Sequence, residues 1–189
     1  ALIYSNYVVA NDLVFCEGDS VLLYGSQMAD TYQWSGGSTA TTDSIYATAG
    51  GTYTLAIADG CGSGTESIIL TMHTPPIAAF TSVSSYVTGN FTNTSTSAGP
   101  TTYLWNFGDG GTSTLQNPVY IYGGTGAYLV TLTVTNDCGS DSQNIKVQYD
   151  EPKITICHHP PGNPTNTQEI EIPLSAWPAH QAHGDTQGP

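Results

Sequence analysis

Two stretches of this chain repeat one another, and a β-rich unit built twice constrains its fold more than any other feature. TYQWSGG (31–37) answers to TYLWNFG (102–108), and GTYTLAIADGCGSGTESIIL (51–70) answers to GAYLVTLTVTNDCGSDSQNI (126–145). The alignment makes Trp34 equivalent to Trp105, Tyr53 to Tyr128 and Cys61 to Cys138. Self-similarity on this scale means one supersecondary unit used twice, and a chain of 189 residues has room for two small domains. Each copy alternates at the period of a strand. Tyr128, Val130, Leu132 and Val134 point one way and are expected in the core, while Leu129, Thr131, Thr133 and Thr135 point to solvent. The first copy does the same at Val21 and Leu23, at Tyr32-Gln33-Trp34, at Ser44-Ile45-Tyr46, and at Tyr53, Leu55 and Ile57. Short alternating strands punctuated by Gly, Asp and Ser predict an all-β fold of tandem sandwiches. Neither copy carries a helical apolar stripe. The run His73-Thr74-Pro75-Pro76 ends the first unit, which places domains at 1–74, 75–149 and 150–189.

The charge balance removes whole classes of function. Lys146 and Lys153 are the only basic residues against 15 carboxylates, a net charge of −13. Nothing is available to replace phosphate counterions, which excludes nucleic acid as a partner, and attraction to an anionic membrane surface is excluded with it. No apolar run is long enough to insert in a membrane. Four cysteines and an acidic, hydroxyl-rich surface predict a secreted or cell-surface protein in an oxidising compartment. The start at Ala1, without a basic segment and apolar core before it, is expected of a mature form whose export signal has been removed.

Residues 1–15 are apolar enough for a strand but long for one. Leu2, Ile3, Tyr4, Tyr7, Val8 and Val9 are the expected assembly residues, donated to the sheet edge of a neighbouring subunit. Simple pairing within the chain is the favoured reading of the two, and either covers an apolar edge that would otherwise be an aggregation hazard.

The segment AAFTSVSS, followed by FTNTSTSAGPTTYLWNFGDGGTSTLQNPVYIYGGTGAYLVTLTVTNDCGSD, resembles a PKD domain, an immunoglobulin-like sandwich of surface proteins, over residues 77–149. WNFGDG, the Asn117-Pro118 pair and the GxYxVxLxVxN strand carry the resemblance; Tyr120 stands where such domains often place His. Residues 11–73, with CEGDSVLL, YQWSGG and GTYTLAIADGCG, are similar to Ig-like modules that accompany PKD domains in large secreted proteins of Bacteroidetes-type bacteria. The resemblance implies extracellular spacing, adhesion or assembly, and implies no enzyme.

The tail reads as a small ββα unit. Lys153 to Ile156 and Glu169 to Ile172 alternate as strands, with a proline-rich loop between. Ser175 is placed to cap a short helix that has Pro178 in its first turn and Gly184 just past its end. It is similar to a CHxPPGNP…AHxxHGD element found near the ends of bacterial extracellular proteins. Four of the five histidines lie here, within 26 residues: His158, His159, His180 and His183. His180 and His183 share a helix face. If the loop returns His158 to that face, three imidazoles converge and Asp185 or a water can complete a shell for copper or zinc. The alternative is that these histidines bond locally or face solvent.

Asp109, in Gly108-Asp109-Gly110, is better explained as a turn residue than as a calcium ligand, since no second carboxylate lies in the turn. Trp34 and Trp105 are expected in the cores, with carbohydrate stacking the minority reading. For the cysteines the expected pairing is Cys16 with Cys61 and Cys138 with Cys157; Cys16 stands at the end of an Ig sandwich opposite the hairpin that holds Cys61, so a different topology or a partner elsewhere, including across subunits, stays open, and Cys157 as a metal ligand is the competitor of the second bond. Asn90 and Asn93 fit the N-linked glycosylation pattern, and Ser20 and Ser44 a short O-linked pattern. The reading that unites these features is a secreted bacterial structural protein, in its sharpest form a filament subunit associating head to tail. Its rivals are an adhesin or glycan-binding fragment of a larger surface protein, and a copper- or zinc-binding protein. No nucleophile has a histidine beside it by motif, so no catalytic residue is expected.

Overall fold

The computed structural model describes residues 13–25, 29–160 and 166–188. The proposed assembly residues from Leu2 to Val9 therefore lie outside the described residues. The chain is all-β apart from a short C-terminal helical segment. β1 (Leu13–Cys16), β2 (Val21–Tyr24), β3 (Thr31–Ser35), β4 (Ser44–Ala47), β5 (Gly51–Asp59) and β6 (Gly62–His73) form the first sandwich. One of its sheets has the order β1-β6-β5-β3, and β2 pairs with β4 to form the other. Phe15, Leu23, Trp34, Ala47, Tyr53, Leu55, Ile68 and Leu70 make its core, drawn from every one of the six strands.

The second copy continues with β7 (Phe80–Ser85), β8 (Thr88–Asn93), β9 (Thr102–Asn106), β10 (Thr112–Ser113), β11 (Val119–Ile121), β12 (Gly126–Asn136) and β13 (Gly139–Tyr149). Its sheets are β10-β9-β12-β13 and β11-β8-β7. The core is aromatic. Phe80 meets Trp105 edge to face at 5.0 Å, Phe107 stacks on Tyr120 at 3.9 Å, and Tyr122 lies on Tyr128 at 4.1 Å. Val130, Leu132 and Val134 are fully buried, as the alternation along β12 requires.

The repeat extends to hydrogen bonds. Trp34 Nε1 donates to Thr42 O and Trp105 Nε1 to Leu115 O, both at 2.9 Å. Tyr53 Oη donates to Ala49 O and Tyr128 Oη to Gly124 O, each four residues upstream, at 3.0 and 3.1 Å. Both tyrosines thus use the corner bond by which Ig-like sandwiches fix the entry to a long strand.

In the tail, β14 (Lys153–His158) is flanked by β15 (Gln168–Pro173) and β16 (Thr186–Gln187). A 3-10 turn over Leu174–Ala176 leads into α1 (Trp177–Ala182). Pro178 sits in the first turn and Gly184 follows the end at φ 95°, a left-handed conformation suited to glycine. Ser175 does not cap this helix. Its N–H and hydroxyl both donate to the carboxylate of Glu151, 24 positions upstream, at 2.6 and 2.9 Å.

By internal contacts the chain divides into two compact units. Residues 1–79 group with 95–103 and 133–142, and residues 80–94 group with 104–132 and 143–189. One pole of the second sandwich, including the β12–β13 turn, thereby belongs with the first module. Among the described residues no helix is long and apolar enough to cross a membrane.

Candidate functional site

The tail brings its histidines around a single buried carboxylate. His158 ends β14, His180 lies in α1 and His183 follows α1, so a strand end and a helix end face each other. Gly184 turns the chain back: the Asp185 N–H donates to His180 O at 3.2 Å, which swings the next side chain under the helix. Asp185 Oδ2 then lies 2.8 Å from His158 Nδ1, 2.7 Å from His180 Nδ1 and 4.0 Å from His183 Nε2. Its other oxygen accepts the His159 main-chain N–H at 2.7 Å. The Asp185 side chain has 0% exposure, whereas the rings of His158 and His180 are each 23% exposed.

Burial alone would raise the Asp185 pKa. The hydrogen bonds from His158, the His159 N–H and His180 outweigh it and hold this carboxyl well below the usual carboxylate range. The donor atoms of His158, His180 and Asp185 all lie within 4.8 Å of one another, close enough to share a metal ion. His183 stands at the margin of this set, and His159 joins it through its main chain. Of the three imidazoles expected to converge, the structure brings two, His158 and His180, to one point, with His183 4.0 Å from the shared oxygen. Asp185 is the hub of the cluster rather than an optional fourth ligand.

The cysteines are paired differently from the expectation. Cys16 bonds to Cys138 with a Cα separation of 5.4 Å, and Cys61 and Cys157 are free thiols. β1 runs parallel to the last residues of β6, with Cys16 opposite His73, whereas Cys61 sits in the turn at the far end of β6. Cys16 is therefore at the wrong end of the sandwich for Cys61, and beside the β12–β13 turn instead. Cys157 pairs in register with Glu169 and Thr186 inside the tail sheet.

Around the disulfide lies a second polar cluster that sequence reasoning missed. The buried His73 places Nδ1 2.8 Å from Asp137 Oδ2. Asn136 Nδ2 donates to Thr74 O and Ala98 O at 2.8 and 3.0 Å, so the linker is bonded to the turn. Cys138 also lies near His73 and Asp137, but its sulfur is committed to the disulfide. No local signal could have announced a pair 64 positions apart.

Asp109 is occupied as a turn residue. It accepts the Gly111 N–H at 2.9 Å and the Tyr120 hydroxyl at 3.0 Å. The tyrosine that departs from the PKD pattern is thus the partner of the turn's carboxylate. Trp34 and Trp105 are 1% and 0% exposed and offer no platform for a sugar.

Residues 73–149 match the family model described as the PKD domain. Over 73 residues the chain is 38% identical to Collagenase ColA of Bacillus cereus, covering 39% of this chain and 7% of that protein. Over 51 residues it is 49% identical to the Pre-pro-metalloprotease PrtV of Vibrio cholerae, covering 26% of this chain and 6% of that protein. The chain thus spans a small fraction of the curated relatives it matches. The I-band fragment I67–I69 of titin aligns with a TM-score of 0.54 at 15% identity, over 76% of this chain and 63% of that one, a likeness of fold alone.

Proposed function

We propose that this chain, whose residues 73–149 are a PKD domain, is a structural segment of a larger extracellular bacterial protein, spacing or assembling other parts rather than turning over a substrate. The observation that carries this reading is the Cys16–Cys138 disulfide beside the His73–Asp137 pair. A linker needed only as a tether would require neither. Here a covalent bond and a His–Asp hydrogen bond join residues from either side of the linker, which suits a spacer that bears load. A stable disulfide also fits an oxidising compartment. Matches confined to small parts of ColA and PrtV support a module carried within longer proteins.

The sharper form is a filament subunit. It is favoured by apolar rows on outer sheet faces: Val83 and Val119 flank Asn90 in register, with Ile121 beside them, and all three apolar side chains are exposed. Leu22, Tyr24 and Tyr46 form a similar patch on the β2–β4 pair. Two unlike patches on one chain permit heterologous contacts, which make open fibres when the rotation does not close. Negative-stain electron microscopy of the purified chain, beside the chain lacking residues 1–10, tests this form. Regular fibres lost on truncation support a donated N-terminal segment. Dispersed particles in both samples remove the filament and leave the spacer or adhesin fragment.

A further inference from the structure

We propose that the C-terminal unit binds one divalent transition-metal ion, copper(II) or zinc(II), through His158, His180 and Asp185, with His183 closing onto the ion as a third imidazole. The geometry is that of ligands around a point. The three rings meet pairwise at 74–78°, edge to face, with centroids 5.5–6.5 Å apart, so none stacks on another, and one nitrogen of each faces Asp185 Oδ2. Two nitrogens approach the same carboxylate oxygen at 2.7 and 2.8 Å. With metal–nitrogen bonds of about 2.0–2.1 Å, neighbouring ligands at a right angle stand about 2.9 Å apart and tetrahedral ligands about 3.3 Å apart. The two nitrogen–oxygen separations need to lengthen by only a few tenths of an ångström to match, and the donor atoms all lie within 4.8 Å of one another. His183, half exposed with Nε2 4.0 Å from the same oxygen, has freedom to close.

Charge points the same way. A carboxylate with no solvent exposure needs a cation or a full set of donors. The tail has no Arg, and its one Lys, Lys153, begins β14 opposite Pro173, at the other end of the strand from His158. The groups that meet Asp185 are thus imidazoles and one main-chain N–H, a set that a bound cation can join. Imidazoles with one carboxylate suit copper(II), zinc(II) or nickel(II) better than the oxygen-seeking calcium and magnesium. Cys157 projects to the opposite face of β14 from His158 and stays outside the set, so no thiolate biases the site toward copper(I).

The test uses the whole 189-residue chain, stripped with a chelator and titrated separately with copper(II) and zinc(II). Metal is counted by mass spectrometry after desalting. One equivalent is expected, retained in Cys61→Ser, where the exposed thiol is gone. His158→Ala and His180→Ala should each weaken binding by more than about 100-fold, at or beyond the upper end known for orienting partners alone. Because these variants could loosen the tail, the copper(II) spectrum of the unaltered chain decides independently. Electron paramagnetic resonance should show hyperfine coupling to at least two imidazole nitrogens. A chain that retains no metal, shows no such coupling, or binds equally with both histidines replaced overturns the proposal and leaves a hydrogen-bonded structural cage.

Discussion

Serine at both Cys16 and Cys138 removes a cross-link that closes a loop of 122 positions. Constraining a loop of that length costs the unfolded chain about 5 kcal/mol of conformational freedom in the loop-entropy relation, with about 2–5 kcal/mol the range for removing native disulfides. Much of the native contact set survives the substitution. Asp137 still holds His73, and Asn136 still bonds Thr74 and Ala98. The loss should therefore fall mainly on the unfolded ensemble. At a urea slope of about 2 kcal/mol/M, the midpoint should drop by about 1–2.5 M. Tryptophan fluorescence reads it in a Trp177→Phe background, where Trp34 and Trp105 report the two cores. Connectivity has a cleaner assay. Trypsin can cut only after Lys146 and Lys153, so without reduction the fragment 154–189, holding Cys157, should leave freely from the piece holding Cys16, Cys61 and Cys138. Retention of that fragment until a reductant is added would refute the pairing. A midpoint within about 0.2 M of the parent would refute the energetic argument.

Three further outcomes follow from other contacts. Gly99 sits at φ 73°, and a Cβ there would lie 2.2 Å from His73 Cε1, so Gly99→Ala must displace the ring from Asp137. The left-handed backbone and the lost charge-assisted bond together should cost about 3 kcal/mol in urea unfolding, and an unchanged midpoint would contradict the contact. Tyr122 is buried, and burial, followed by the neighbouring Tyr149, pushes its ionisation well above the usual phenol range. A raised folded pKa gives stability that is complete below the unfolded value of about 10 and declines as pH rises beyond it. Tyr122→Phe should flatten that alkaline decline in urea midpoints measured from pH 8 upward, while losing about 1 kcal/mol at neutral pH with the bond to Phe107 O; an equal decline in the variant would contradict it. Cys61 is exposed and Cys157 half-buried, so a maleimide should label Cys61 first, without shifting the unfolding midpoint.

The parts of this protein that can be read from its sequence are those encoded within a few residues. Alternation from Tyr128 to Val134 places a core face, and two matching copies make the reading firmer, because Trp34 and Trp105, or Tyr53 and Tyr128, end in the same bonds. The same repeat misleads at the cysteines. Equivalence of Cys61 and Cys138 suggests equivalent roles, yet the second copy has two more residues between its corner tyrosine and its cysteine, and β12 is longer than β5 by that amount. Which cysteine meets Cys16 depends on which sandwich pole the chain brings to it, a fact settled by topology and by no local pattern. The tail divides along the same line. His180 and His183 are paired by helical spacing, but the central place of Asp185 needs the backbone reversal at Gly184 and the return of β14 from 27 positions away. Ser175 fails as a cap for a related reason, since a distant Glu151 supplies two good acceptors at once. Local periodicity thus builds the sandwiches and the helix, and the sites with chemistry arise where strand ends, helix ends and turns from separate stretches are made to meet.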